Sequence, residues 1–122
     1  MTERLNFKEM VERFDVTPRT LRYYEYIELL QPEKEGRARF YGPREVARMT
    51  LILRGRRFGF SLEEIRQWLL IYEREGTAAQ QAAMAALADK RLEEMIRERD
   101  ALDSAIADLR ALRASAMAIT RH

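Results

Sequence analysis

The stretch Val16-Thr17-Pro18-Arg19-Thr20-Leu21-Arg22-Tyr23-Tyr24-Glu25 decides how this chain reads. Thr17 can cap a helix, because its hydroxyl accepts from a free backbone N–H of the first turn. Pro18 suits the first helical position, where no N–H is needed. A helix over 18–26 follows, with Val16 and Leu21 at the two staple positions. Helical spacing then sorts the side chains: Arg19, Arg22, Tyr23 and Tyr26 share one face, with Leu21 and Tyr24 on the other. Arginine supplies a forked donor for guanine or phosphate, and tyrosine a hydroxyl on a stiff body. Taken alone, such a stripe is equally the solvated face of an ordinary amphipathic helix.

The same capping signals recur on both sides. Asn6 with Glu9 opens a helix over 7–14, stapled by Leu5 and Met10. Gly42-Pro43 opens one over 43–57, and Ser61 with Glu64 opens one over 62–75. Thr77 with Gln80, just after the stop signal Gly76, opens the last, over 78–118. The tight link at Asp15-Val16 makes the first two helices a candidate helix-turn-helix, a motif whose second helix enters a major groove. Met10, Val11 and Phe14 are placed to cover Leu21 and Tyr24. Between Gln31 and Gly42, the run Arg37-Ala38-Arg39-Phe40-Tyr41 reads as a short, edge-like hairpin arm.

The last helix would span roughly 60 Å, too long to pack along its whole length on so small a domain. Its apolar residues Leu92, Met95, Leu102, Ile106, Leu109 and Ala116 recur in threes, fours and sevens, the step of a coiled-coil seam. Arg99 and Arg113 interrupt that seam, and residues 78–88 are mostly alanine, suited to close helix approach. A homodimer is the economical expectation.

Charge points the same way. Residues 1–60 hold 13 Lys/Arg against 9 Asp/Glu, and between Arg37 and Arg57 Glu45 is the lone acid among seven arginines. A basic front half fits a polyanion partner. The chain has no cysteine, which excludes disulfides, thiolate metal sites and cysteine nucleophiles. Charges at Glu3, Arg4, Lys8, Glu9 and Glu12 argue against a signal peptide, and no apolar run approaches the roughly 20 residues that span a bilayer. The expected location is the cytoplasm, with no membrane partner. No catalytic set is legible either: His122 is the last residue, and Ser61 with Glu63 and Glu64 serves a helix start. The chain is read as a non-enzyme without metal or cofactor.

With those residues in view, the chain resembles the MerR family of bacterial transcription regulators. The resemblance runs in order through Val16 to Glu25, Leu29-Leu30, Arg39-Phe40-Tyr41, Pro43-Arg44-Glu45-Val46 and Phe58-Gly59-Phe60-Ser61-Leu62-Glu63-Glu64-Ile65. It implies a mainly α fold: a winged helix-turn-helix DNA-binding domain over 1–76, then a long dimerisation helix over 77–122 paired as an antiparallel coiled coil. It implies a homodimer on a pseudo-palindromic promoter element in duplex DNA, altering promoter geometry for RNA polymerase. The competing functions are a coiled-coil interaction module and a nucleoid binder without sequence preference.

By position, the resemblance puts Arg19, Arg22 and Tyr23 in or beside the major groove, with Thr17 and Thr20 near phosphate. Tyr24 turns inward on the helical wheel, although its hydroxyl could approach the DNA backbone. Arg39 and Tyr41 become wing contacts, with Arg37 and Arg44 as supporting charges. The dimer interface falls on Leu92, Met95, Leu102, Ile106 and Leu109. Two departures stand out. Glu28 occupies a turn where the family usually has glycine, and Arg37-Ala38-Arg39 replaces a glycine-tyrosine-arginine order, removing a tyrosine contact that Arg37 is placed to replace. Relatives that sense metals use cysteines, and drug sensors append a large effector domain. This chain therefore reads as a short form in which any small-molecule effector would sit near Trp68, Ile71 and Tyr72, residues that are more commonly core.

Overall fold

A computed structural model describes residues 3–75 and 77–120, the side chains of residues 72, 74, 75 and 77 excepted. The chain divides into two units, Met1–Gln81 and Ala82–His122. The first unit begins with a two-residue strand β1 (Leu5–Asn6), helix α1 (Phe7–Phe14) and helix α2 (Pro18–Tyr26). A hairpin of β2 (Glu33–Glu35) and β3 (Ala38–Tyr41) leads into helices α3 (Pro43–Arg57) and α4 (Leu62–Glu75). Helix α5 (Thr77–Thr120) starts in the first unit and makes up the described part of the second.

The helices start where their caps stand. The Asn6 side chain accepts from the Glu9 N–H at 2.8 Å, and the Glu9 carboxylate accepts from the Asn6 N–H at 3.0 Å. Ser61 and Glu64 exchange the same pair of bonds at α4. Thr17 accepts from the Thr20 N–H at 3.0 Å, and Gly42 precedes Pro43 without a side-chain cap. The Thr77–Gln80 cap lies outside the described residues, since it rests on the Thr77 side chain.

Three helix ends share one solution. After α1, α2 and α3 a residue turns left-handed: Asp15 (φ 51°), Glu28 (φ 63°) and Gly59 (φ 86°). At each, the N–H of that residue and of the next reach back to carbonyls near the helix end, as in Glu28 to Glu25 and Leu29 to Tyr24 at 3.0 and 2.9 Å. This double bond pattern satisfies carbonyls the helix would otherwise leave bare, and an apolar residue follows to seal it. The sealing residues are Val16, Leu29 and Phe60, the last two buried. Asp15 and the Thr17 cap together make the helix-turn-helix link only three residues long. Glu28 does adopt the left-handed turn without glycine.

The sheet is three-stranded and antiparallel, in the order β1-β3-β2. Leu5 pairs with Tyr41 and Asn6 with Phe40, while Glu33, Lys34 and Glu35 pair with Phe40, Arg39 and Ala38. The sequence reading missed β1 and placed the arm within 37–41. The first arm is instead Glu33–Glu35, and Gly36 (φ 62°) with Arg37 forms the two-residue turn. Glycine first in such a turn suits the right-handed twist of the flanking strands. Arg4 ties the outer strand down, bonding Glu33 and Glu35 at 3.1 and 2.8 Å while its guanidinium lies 4.0 Å from the Phe40 ring centre.

The core of this unit gathers Met10, Leu21, Tyr24, Leu29, Leu30, Tyr41, Met49, Ile52, Phe60, Ile65, Trp68 and Leu69. Burying these side chains stabilises by about 1.5–3 kcal/mol each, set against chain entropy. Helices α3 and α4 approach closely at Gly55: a Cβ there would lie 2.9 Å from Ile65 Cγ1.

Candidate nucleic-acid interface

Helix α2 presents its polar face outward. Arg19, Arg22, Tyr23 and Tyr26 are exposed, whereas Leu21 and Tyr24 are buried, as the spacing demands. Nearly half of Tyr23 is accessible (49%), so its ring has room to reach a partner without unfolding the helix. Thr20 is half-buried and its hydroxyl accepts from the Thr17 hydroxyl at 2.9 Å, which fixes both at the helix start. Burial pushes the Tyr24 phenol above the usual tyrosine range, and the neighbouring Arg56 guanidinium opposes the shift.

A half-buried carboxylate joins this helix to the wing. Glu25 accepts a hydrogen bond from the Tyr41 hydroxyl at 2.7 Å and lies 3.5 Å from Arg39 Nε. The expected DNA contact from Tyr41 is therefore corrected: the residue is fully buried and its hydroxyl is already committed. The register explains the error, since pairing with Leu5 turns Tyr41 inward. Burial first, then the adjacent Glu25 carboxylate, raises the Tyr41 phenol far above its ordinary value.

Arg44 is exposed but already paired. Its guanidinium bonds Glu45 at 2.6 Å and also Glu73, so it belongs to a network joining α3 and α4. Glu45, itself buried, accepts from the Gln31 N–H at 2.9 Å; Arg48 donates to the Leu29 carbonyl at 2.9 Å and to Glu73. Arg66 reaches the Ile27 carbonyl from α4. These bonds capture the backbone just after α2 from two helices, and so set the direction in which α2 projects. Burial holds the Arg48 guanidinium below its ordinary range, and Glu73 offsets part of that.

Two hollows flank α2. One, of about 340 Å³, is lined by Asn6, Phe7, Lys8, Arg22, Arg37, Ala38 and Arg39. The guanidinium carbons of Arg22 and Arg39 lie 5.3 and 5.8 Å from the Phe7 ring centre, within cation–π range. The other, of about 350 Å³, is lined by Arg19, Thr20, Tyr23, Tyr24, Arg56 and Leu62. The structure thus brings together Thr17, Arg19, Thr20, Arg22, Tyr23, Arg37 and Arg39, and adds Phe7, Lys8 and Arg56. The sequence reading missed these three because strand pairing and the α3–α4 corner, not local spacing, bring them to α2.

Trp68 is core, its indole N–H buried without a hydrogen-bond partner; Ile71 is half-buried, and the Tyr72 side chain lies outside the described residues. A third hollow is lined by Arg44, Ala47, Arg48, Leu51, Leu69 and Glu73. On α5, the seam residues Leu92, Met95, Leu102, Ile106 and Leu109 are all exposed in the single chain. Among the described residues no acid or histidine cluster could hold a metal, and no helix is long and apolar enough to cross a membrane.

Residues 5–70 match the family described as MerR HTH family regulatory protein, and residues 46–115 match that described as MerR, DNA binding. The HTH-type transcriptional regulator HmrR of Rhizobium leguminosarum bv. viciae is 37% identical over 95 residues, covering 77% of this chain and 72% of its own. A MerR-family transcriptional regulator from Bacillus cereus shares the fold with a TM-score of 0.71 at 26% identity, over 86% of this chain and 76% of the other. The fold is also that of HiNmlR, a MerR-family regulator lacking the sensor domain and bound to promoter DNA (TM-score 0.63, 17% identity, 79% of this chain and 75% of that one).

Proposed function

The chain belongs to the MerR family of helix-turn-helix regulatory proteins, and from that premise we propose that it is a sequence-specific homodimer which binds a pseudo-palindromic promoter element and changes promoter geometry for RNA polymerase. It works in the cytoplasm, on the chromosome, as a binding protein and not as an enzyme. Arg19, Arg22 and Tyr23 enter or flank the major groove, Thr17 and Thr20 sit near phosphate, and Tyr24 backs them from beneath. Arg37 and Arg39 carry the wing's charge to the DNA backbone, the more so because Ala38 offers no side-chain donor. Residues 1–76 form the DNA-binding part and 77–122 the dimerisation part, joined to its twin in an antiparallel coiled coil through Leu92, Met95, Leu102, Ile106 and Leu109. A small-molecule effector, if the chain takes one, would enter near Trp68, Ile71 and Tyr72.

One observation carries this reading: the exposed arginine–tyrosine face of α2 stands beside the cations of the hairpin, joined through Glu25. An exposed recognition helix and a basic wing on one surface is the layout that reads a groove while gripping the backbone beside it. The test is footprinting of the purified protein on its own genomic neighbourhood, followed by titration of the protected duplex against random duplex. A preference of about a thousandfold or more is expected. Binding without preference would favour a nucleoid role, and no salt-dependent binding at all would sink the reading. Within the protected site, Arg22→Ala should cost about 1–3 kcal/mol of specific binding.

A further inference from the structure

Four cations from two helices and the hairpin face one hollow: Lys8 from α1, Arg22 from α2, Arg37 from the hairpin turn and Arg39 from β3. Several cations of this unit are met by acids, as Arg4 is by Glu33 and Glu35, or Arg44 and Arg48 by Glu73. Here the balance fails. Arg39 has Glu25 at 3.5 Å, but among the described residues Lys8, Arg22 and Arg37 make no ion pair. Like charges brought together without counter-charge repel, and an arrangement of this kind is relieved by binding an anion. The Phe7 ring lies within cation–π reach of both Arg22 and Arg39, which restricts where those two long side chains can swing.

Resting on the duplex-binding reading above, we propose that Lys8 is a DNA-contacting residue of the wing site. With Arg37 and Arg39 it seats one backbone phosphodiester, while Phe7 acts as a positioning residue that keeps Arg22 and Arg39 aimed. Lys8 stands outside the recognition helix and carries a compact point charge, which suits phosphate and not a base edge. It therefore adds grip without adding sequence information. Phe7 works differently: by confining Arg22, which reads bases, it contributes to specificity without touching DNA.

The experiment uses the footprinted duplex with single phosphates replaced, one at a time, by neutral methylphosphonates. For the parent protein one replacement in each half-site should weaken binding about three- to tenfold through loss of the Lys8, Arg37 and Arg39 contacts. Lys8→Gln should reduce the effect of that replacement several-fold, leave the preference over random duplex unchanged, and make the log–log salt slope shallower by about 0.9 per protomer. Phe7→Leu keeps an apolar side chain in place, and should lower the preference over random duplex several-fold. Far-UV circular dichroism and the thermal midpoint confirm the fold of both variants. If Lys8→Gln remained as sensitive as the parent at every phosphate, the Lys8 seat would be overturned; an unchanged preference in Phe7→Leu would overturn the positioning role. A parent protein that showed no preference for any duplex would instead defeat the functional reading itself.

Discussion

Glu28 sits at φ 63°, a conformation that costs an L-residue with a Cβ roughly 1–2 kcal/mol, and both hydrogen bonds of the turn depend on it. Glycine would remove the steric cost while giving the unfolded chain more freedom, worth about 0.4–1 kcal/mol in the other direction. Glu28→Gly should therefore stabilise the protein by roughly 0.5–1 kcal/mol in urea or thermal unfolding. No gain would mean that the neighbouring bonds to Ile27, Leu29 and Gln31 already absorb the strain. Tyr41 supports a pH prediction. Its phenol is held protonated in the folded state by burial and by Glu25, so its folded pKa lies above its unfolded value. The associated stability is present below about pH 10, where the unfolded chain also keeps the proton, and is lost as pH rises past it. Tyr41→Phe should cost about 1.5–3 kcal/mol at pH 7, because Glu25 loses a hydrogen-bond donor in a half-buried place. The gap between parent and variant should then narrow above pH 10, by up to about 1.4 kcal/mol per pH unit. A gap that stayed constant to pH 11 would show that Tyr41 ionises freely in the folded state.

At the scale of elements, what was readable was whatever local chemistry determines. The starts of α1, α2, α3 and α4 follow from Asn6, Thr17, Pro43 and Ser61, and the face of α2 follows from its spacing. What escaped is set by partners far along the chain. A two-residue strand such as β1 has no periodicity to detect, yet it orients Tyr41; Arg44 looks like a free cation until Glu73, 29 residues on, folds against it. Gly55 belongs to the same class. A glycine inside a helix costs about 0.8–1 kcal/mol relative to alanine, so propensity alone recommends Gly55→Ala. The structure argues the reverse, since the new Cβ would lie 2.9 and 3.0 Å from Cγ1 and Cδ1 of the fully buried Ile65 and 3.4 Å from Phe60. Overpacking of that kind costs about 1–3 kcal/mol. Gly55→Ala should leave the protein about 1 kcal/mol less stable by chemical denaturation; a more stable variant would show that α4 can move away at no cost.

On the scale of the whole molecule the decisive fact is how little α5 buries. Leu92, Met95, Ile96, Leu102, Ile106, Leu109, Leu112, Met117 and Ile119 are all exposed in the single chain. The salt bridges of Arg91 with Glu94 and Glu98 contribute little at such exposure. Most helical stability in proteins comes from packing an apolar face, not from propensity. A second copy covering the seam, as proposed above, would supply that packing, and in an antiparallel pair each seam residue would count twice. Ile106→Asp with Leu109→Asp removes four apolar side chains per dimer, worth about 1.5–3 kcal/mol each, and adds four charges to the seam. The loss, about 6–12 kcal/mol, is half to all of the roughly 12 kcal/mol that holds a nanomolar dimer together. The double variant should sediment with the mass of one chain, and its affinity for the footprinted duplex should fall at least a hundredfold, since each half-site would be held alone. Ser104→Asp, on the opposite side of the helix, adds charge without touching the seam and should leave both mass and affinity unchanged. If the double variant still sedimented as a pair, the twofold contact would have to lie off this seam.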